Sequence, residues 1–169
     1  MSGPHKTPDM PHHGRHDRGG FQQIHDPYVA RMKPAEPSVC GDCGAVWHDG
    51  RWQWLTRPDN AHELRCPACQ RVHDRVPAGY LSLGGAFLTA HRDEIARLID
   101  HHAERQAAEH PLKRIMAKEE TADGLLITTT DAHLARGLGE AIEHAYAGTL
   151  DYHYVEDDAT LRASWRRDS

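Results

Sequence analysis

The sequence predicts an α+β protein in which a four-cysteine zinc ribbon precedes a connecting helix and a small ββαββ domain. Three observations predict this: two C-x-x-C pairs, a helix-length stretch without Gly or Pro, and alternating apolar and polar residues towards the C-terminus. Four segments follow, namely a His- and Pro-rich arm (1–37), the ribbon (38–76), a connector with its helix (77–110) and the ββαββ domain (111–169).

The composition limits the classes of protein that this chain of 169 residues can represent. Hydrophobic residues make up 38% and charged residues 27%, with a formal net charge of -5. That charge excludes a wholly basic nucleic-acid coat, although a local basic face stays open. No apolar run approaches the roughly 18 residues of a membrane-spanning helix, and no apolar signal region follows the N-terminus. We therefore expect a cytoplasmic protein without membrane contact.

The first 37 residues are expected to form a flexible, solvated arm. Prolines and glycines interrupt any periodicity there, and such a segment buries too little apolar surface to offset its ordering entropy. The block from His25 to Tyr28 is the one stretch that suggests an anchor. Loose metal binding by the histidines of the arm stays open.

Four cysteines carry the strongest functional signal in the chain. Cys40 and Cys43 form one C-x-x-C pair, Cys66 and Cys69 form the other, and 22 residues separate the two pairs. Two facing knuckles supply four thiolates at tetrahedral geometry, which suits one Zn²⁺ ion. Four protein ligands leave no open coordination position, so the predicted role of the zinc is structural. An iron or iron–sulfur site with the same ligands stays open, whereas a redox pair lacks its usual thioredoxin-like context.

The segment between the cysteine pairs is expected to form a β-hairpin followed by a loop over 55–64. Asp49 and Gly50 lie between two aromatic runs, 45–47 and 51–54, and Asp-Gly in that position is a strong hairpin signal. The loop then returns the chain to the second cysteine pair.

Tryptophans and arginines interleave through the ribbon and admit two interpretations. In one, the tryptophans cover the metal site because a ribbon of this size has little other core. In the other, they stack on bases while arginines bind phosphate. Alternation along the strand puts Trp52 and Trp54 on one face. The candidate nucleic-acid-binding residues are Arg51, Trp52, Trp54, Arg57, Arg65, Arg71 and Arg75.

Periodicity predicts the elements of the remaining chain. They are, in order, a helix over 86–109, strands over 113–119 and 125–130, a helix over 131–147 and strands over 150–155 and 161–166. The last five predict a four-stranded antiparallel sheet with one helix across a face. Gly137 and Gly139 inside the second helix indicate a close approach to the sheet or to a partner. The polar run 128–133 either caps that helix or binds a phosphate or carboxylate.

A set of short motifs resembles one family. They are His25-Asp-Pro-Tyr28, the two cysteine pairs, Gly50-Arg-Trp-Gln-Trp54, Pro77-Ala-Gly79, Ala90-His-Arg-Asp-Glu94 and Ile127-Thr-Thr-Thr130. Over residues 25–167 the chain resembles an uncharacterised family of small bacterial zinc-ribbon proteins, and this resemblance carries over no activity. Two cysteine knuckles leading into a small α+β domain are also similar, more distantly, to the large-ribosomal-subunit export adaptor family of archaea and eukaryotes. That second likeness implies association with the ribosome or with RNA.

Three classes of function follow from these observations. The leading expectation is a non-enzymatic zinc-ribbon factor that associates with the ribosome or with structured RNA in translation. The alternative is a protein–protein adaptor or regulatory protein without direct RNA contact, whose ββαββ domain docks a partner. This alternative accounts better for the acidic end of the chain, since residues 112–169 hold seven basic and eleven acidic side chains. An enzyme comes third, because no catalytic constellation is identifiable.

Overall fold

The computed structural model describes residues 26–30, 33–155 and 159–169, which form a mixed α+β protein with two sheets and five helices. The helices are α1 (Pro27–Ala30), α2 (Pro67–Asp74), α3 (Ala86–Ala90), α4 (Arg92–Glu109) and α5 (Ala132–Tyr146). The strands are β1 (Ser38–Cys40), β2 (Val46–His48), β3 (Arg51–Gln53), β4 (His62–Leu64), β5 (Gly79–Gly84), β6 (Ile115–Thr121), β7 (Gly124–Thr129), β8 (Thr149–Val155) and β9 (Thr160–Arg166). None of the described helices has the length and apolarity to cross a membrane.

The smaller sheet has the strand order β3-β2-β1-β4 and carries the cysteine pairs. β2 and β3 form the expected hairpin. Its turn residues Asp49 and Gly50 both have positive φ, 51° and 74°, as a two-residue primed turn requires. The prediction of a loop over 55–64 is wrong for its last three residues. These residues form β4, which pairs in parallel with β1. Three residues are too few to show a strand periodicity, which is why sequence analysis missed β4.

The larger sheet corrects the predicted four-stranded ββαββ arrangement. Its strand order is β6-β7-β5-β9-β8, so it has five strands, and β5 from the predicted connector lies at its centre. β5 is antiparallel to β7 and parallel to β9, so the sheet is mixed. Sequence analysis assigned this segment to the connector rather than to a strand. Gly79 lets α5 approach β5 closely, since a Cβ there would lie 2.5 Å from the Cβ of Ala135.

One face of the larger sheet packs against α5, and α4 packs against α5 in turn. The expected single helix over 86–109 is interrupted at His91, whose φ of -122° and ψ of 25° end α3. Gly139 allows the predicted close approach, since a Cβ there would lie 2.8 Å from Cδ1 of Leu150 on β8. The core contains Leu81, Leu83, Leu88, Ile95, Ile99, Ile127, Leu134, Leu138, Ile142, Leu150, Ala163 and Trp165.

The opposite side of the larger sheet is termed the open face. Paired residues on neighbouring strands point to the same side, so the register places Thr128, Tyr80, Arg162 and His153 in one row across four strands. The Arg162 guanidinium lies 4.4 Å from the Tyr80 ring centroid. Arg162 and His153 are exposed. This row of the open face is therefore mostly polar, with one aromatic ring on the central strand.

Residues at the start of the described chain attach to α2. Arg71 donates from Nη2 to Asp26 Oδ1 at 2.8 Å, and its guanidinium lies 4.3 Å from the centroid of the Tyr28 ring. The Tyr28 hydroxyl donates to Asp74 at 3.0 Å. Two residues of the block predicted as an anchor thus contact the smaller unit. Residues 1–25 of the predicted arm lie outside the described residues.

Candidate metal centre and open sheet face

The four cysteine sulfurs come together at one point beside the smaller sheet. All four lie within 4.8 Å of one another, and the sulfurs of Cys43 and Cys66 are 3.8 Å apart. Zinc–thiolate bonds of about 2.3 Å in a tetrahedron give a sulfur–sulfur edge of about 3.8 Å. The spacing therefore fits a tetrahedral metal ion, and the cluster of Cys40, Cys43, Cys66 and Cys69 can hold one.

Local structure explains how each cysteine pair reaches the site. Cys40 ends β1, and the turn that follows is closed by a hydrogen bond from the Gly44 amide to the Cys40 carbonyl at 2.9 Å. Gly44 has a φ of 81°, which glycine adopts without strain. Cys66 is the N-cap of α2, and its sulfur accepts from the Cys69 amide at 3.4 Å. Pro67 at the first helical position suits this start.

Three of the four cysteines are buried, and one of the tryptophans packs against the cluster. Cys40, Cys66 and Cys69 are 1%, 0% and 7% exposed, and Trp52 packs in the same cluster at 8%. The Cys66 amide donates to the Cys40 sulfur at 3.2 Å, which helps to stabilise thiolate charge. For Trp52, the structure therefore agrees with the interpretation in which tryptophan covers the metal site.

Arg114 is a further residue at the candidate site, and sequence reasoning missed it. It lies just before β6, in the unit of the larger sheet, and Nη2 donates to the sulfur of Cys66 at 3.4 Å and of Cys69 at 3.2 Å. Its backbone is fixed by Thr130, because the Arg114 amide donates to Thr130 Oγ1 and the Thr130 amide donates back to the Arg114 carbonyl, both at 2.9 Å. No local pattern marks this arginine, since its partners are more than 40 residues away in sequence.

The polar run 128–133 has a structural role in this geometry. Thr130 Oγ1 donates to the Leu112 carbonyl at 2.7 Å and so holds the segment that leads to Arg114. Asp131 caps α5, with its carboxylate accepting from the Leu134 amide at 2.9 Å. Of the two sequence interpretations, the helix cap is the one that these contacts support.

Without a metal ion, the thiols share protons unequally. A hydrogen bond from the Cys66 thiol lowers the pKa of Cys43 to about 5. The same hydrogen bond, together with burial, raises the pKa of Cys66. Burial raises the pKa of Cys69 to about 11 although Arg114 opposes the shift. Metal binding by all four sulfurs therefore has to displace protons, and acid weakens it.

The electrostatics of Arg114 favour its charged form. Burial acts to lower the pKa of Arg114, but the hydrogen bond to Cys69 and the nearby sulfur charges outweigh burial and raise it. A divalent ion with four thiolates carries a net charge of about -2, and one buried cation offsets part of it. Arg114 is thus placed to stabilise a loaded thiolate site.

The seven candidate nucleic-acid-binding residues separate into different environments. Trp52 is covered, and Arg71 is 3% exposed in its contacts with Asp26 and Tyr28. Arg57 pairs with Glu63 at 3.5 Å and Arg65 with Asp42 at 2.6 Å. Trp54 is 42% exposed, with its indole Nε1 donating to the Ala107 carbonyl of α4 at 2.6 Å. Arg51 and Arg75 are exposed.

A second cluster of possible ligand atoms lies at the hairpin and consists of Glu36, His48 and Asp49. All three residues are exposed. His48 Nδ1 lies 3.3 Å from Glu36 Oε1, and Nε2 lies 3.4 Å from Asp49 Oδ2. Each ring nitrogen thus faces an exposed carboxylate at the surface of the hairpin.

A cavity of about 520 Å³ lies between the end of α2 and the open face. It is termed the groove. Val72 and Pro77 line it from the α2 side, and Tyr80, Met116 and Leu126 line it from β5, β6 and β7. Val72 and nearby Val76 are 48% and 43% exposed. Cys66 of the cysteine cluster is the N-cap of α2, the helix that forms one wall of the groove.

Comparisons with protein-family models, curated proteins and solved structures find no match to this chain. The two family resemblances therefore stay predictions, and function has to be inferred from the arrangement of the residues themselves.

Proposed function

We propose that this protein is a non-enzymatic docking factor, in which one structural Zn²⁺ holds α2 against the larger sheet and the open face binds another protein. The observation that carries the proposal is the groove, which combines a largely apolar lining with the end of α2, the helix that Cys66 of the cysteine cluster caps. Concave apolar sites with a few polar groups are the usual places where proteins bind ligands.

Zinc is the proposed ion because the donor set is four thiolates with an edge that fits its bond length. A site with four protein ligands has no position for a substrate, which supports a structural role. Arg114 adds a charge that favours the loaded state and joins the two units at the metal. The zinc is therefore proposed to set the position of α2 rather than to react.

A protein partner suits this surface better than a nucleic acid does. Val72 lines the groove with a half-exposed aliphatic side chain, Val76 is also exposed, and exposed apolar surface marks protein contacts. Interfaces with nucleic acid are strongly basic, whereas this chain has a formal net charge of -5. Several ribbon arginines are also engaged with acidic groups of the protein.

Affinity capture from native lysate, with and without nuclease, tests this proposal. The informative variant is Arg162→Glu, which alters the open face, and Arg51→Glu on β3 is its matched control. We expect a protein partner that survives nuclease treatment, is lost with Arg162→Glu and is retained with Arg51→Glu. A partner that nuclease removes, or one that both variants retain, would contradict docking on the open face.

Association with the ribosome or with structured RNA is the second candidate, and Trp54 is the observation that favours it. Its indole is fixed to α4 and partly exposed, and Arg51 and Arg57 on the same segment are exposed. A fixed aromatic ring beside arginines suits base stacking with phosphate contacts. A salt titration of binding to rRNA or ribosomal subunits tests it. Absence of saturable binding at low salt, where charge attraction is strongest, excludes it.

A further inference from the structure

We propose that the groove binds a linear peptide segment of a partner protein, with one large apolar side chain inserted and one acidic and one basic residue beside it. This inference rests on the proposed docking function and specifies its chemistry. The groove offers a largely apolar space, one cationic side chain and one anionic side chain. The apolar space suits an apolar side chain of the occupant, and the two charges suit residues of opposite charge beside it.

The size and lining of the groove select the apolar side chain. A volume of about 520 Å³ exceeds what an aliphatic or aromatic side chain fills and leaves room for neighbouring backbone. Val72, Met116 and Leu126 supply aliphatic contact, and Tyr80 supplies a ring. Burying a leucine-sized side chain there stabilises the complex, because apolar surface of both partners leaves water.

Arg75 and Glu119 select the charges of the occupant. Arg75 is the C-cap of α2, with φ of 57° and ψ of 43°, and its backbone amide donates to carbonyl groups of the last helical turn. Its exposed side chain lines the groove. Glu119 lines the groove from β6 and pairs in register with Leu126. Its neighbours Lys118 and Glu120 instead bond to Asp100 and Arg92 of α4. Glu119 is thus the β6 carboxylate on the groove side.

Insertion of a side chain fits the site better than pairing with an added strand. β6 is an edge strand, but its register shifts between Ile115 and Ala117, so Met116 bulges. Charged residues follow along the same strand at 118–120. Bulges and charges are features that prevent an edge strand from pairing with another chain. We therefore assign recognition to side chains in the groove.

Titration of nine-residue peptides into the zinc-loaded full chain tests the inference, and the chemical shifts of the protein's amide groups report binding. Each peptide has Leu or Ala at its centre. The two flanking residues are one acidic and one basic, two acidic, or two basic. We expect the mixed-charge Leu peptide to bind at Tyr80 and Leu126, and its Ala counterpart to bind about tenfold more weakly. Either like-charge peptide should bind about two- to fivefold more weakly than the mixed one.

Charge reversal gives the sharpest readout. Glu119→Lys should shift the preference to the peptide with two acidic residues, and Arg75→Glu should shift it to the peptide with two basic residues. The matched control is Asp151→Lys, which makes the same change from a negative to a positive charge. Asp151 lies on the open face too, but on β8, the edge strand at the opposite side of the sheet. The control should keep the wild-type preference. An unchanged preference in Glu119→Lys and Arg75→Glu overturns the inference.

Other occupants give different results, and each would also overturn it. If Val72→Asp shifts the amide signals of residues 1–25 without peptide, the chain's own N-terminal segment occupies the groove. If the protein self-associates and Val72→Asp abolishes this, the occupant is a second copy. Shifts of groove residues by single-stranded RNA but by no peptide assign the groove to RNA.

If no peptide binds but nuclease-resistant capture still depends on Arg162, the groove chemistry fails while the docking function stands.

Discussion

Arg114 lies 3.2 Å from the sulfur of Cys69, although the two residues belong to different units of the protein. The cysteine sits in the first turn of α2, and the arginine precedes β6 of the larger sheet. This contact links the cysteine cluster to the larger sheet. A metal ion held by the four cysteines would therefore lie at the contact between the two units.

Removing the charge of Arg114 should weaken zinc binding. We expect Arg114→Gln to raise the zinc Kd about 10- to 100-fold, the usual effect of losing a group that supports metal ligands. Arg114→Lys should be intermediate, since an ammonium keeps the charge but not the planar geometry. Competition with a chromophoric chelator measures this. Arg65→Gln is the control, because Arg65 neighbours Cys66 but pairs with Asp42; an equal loss in both variants would exclude a specific role for Arg114.

Purified protein should contain one zinc per chain, bound by Cys40, Cys43, Cys66 and Cys69. The reason is the close approach of their four sulfurs. Elemental analysis checks the stoichiometry, and Cys66→Ser should reduce it strongly because one tetrahedral ligand is lost. A low zinc content that Cys66→Ser leaves unchanged would refute the assignment.

Chelation should disturb the smaller unit while the helices of the larger unit persist. Trp52 packs on the cysteine cluster, so its fluorescence should change when the metal leaves. The larger sheet and α5 share a separate apolar core, so the helical far-UV circular dichroism signal should remain. Loss of both signals in a single step would mean that the two units unfold together.

The two tryptophans on and after β3 should differ in their effect on stability. Trp52→Ala should lower the free energy of unfolding by about 3–5 kcal/mol, because a large buried side chain is removed. Trp54→Ala should cost about 1–2 kcal/mol, since its ring is partly exposed and loses one hydrogen bond to Ala107. Denaturant titration measures both. Equal losses would show that Trp54 is as much a part of the core as Trp52.

His102 should make stability depend on pH. Burial, followed by the charges of Arg105, His101 and Lys113, lowers the pKa of His102 in the folded protein below its ordinary value of 6.5. The unfolded chain then binds this proton more readily, so stability falls as pH drops through 6.5 and levels off below the folded pKa. His102→Gln should reduce this slope.

Thermal unfolding of wild type and His102→Gln between about pH 5 and 8 measures the effect. Metal release in acid acts on both proteins, so the difference between their slopes isolates the histidine. Parallel pH profiles would show that His102 does not contribute.

The parts of the fold that sequence reasoning predicted are those with a local signal. The spacing of the cysteines predicted the four-cysteine cluster. Asp49-Gly50 predicted the hairpin, because few other dipeptides adopt its turn. β5 was missed because glycines at both of its ends are typical of a turn, and the packing of α5 over Gly79 is not visible in the sequence. Trp54 was expected to share the environment of Trp52, but β3 ends at Gln53, so strand alternation no longer applies.

The contacts of Arg114 with the cysteine cluster could not be predicted from the sequence, for a different reason. Its contacts with Cys66 and Cys69 depend on how the two units are placed, and no periodicity or spacing encodes that placement. The same holds for the groove, whose walls come from α2 and from three strands of the larger sheet.

The central position of β5 has a consequence for biosynthesis. Gly79 of β5 pairs with Leu161 of β9, 82 residues later, whereas the smaller sheet and α2 are complete by residue 74. At about 5–20 residues per second, a ribosome needs several seconds to supply that last partner. During this interval the apolar strand carrying Leu81 and Leu83 has at least one unpaired edge. A chain that terminates before residue 160 would therefore keep its metal-binding unit but leave this strand exposed, as a substrate for chaperones or proteases.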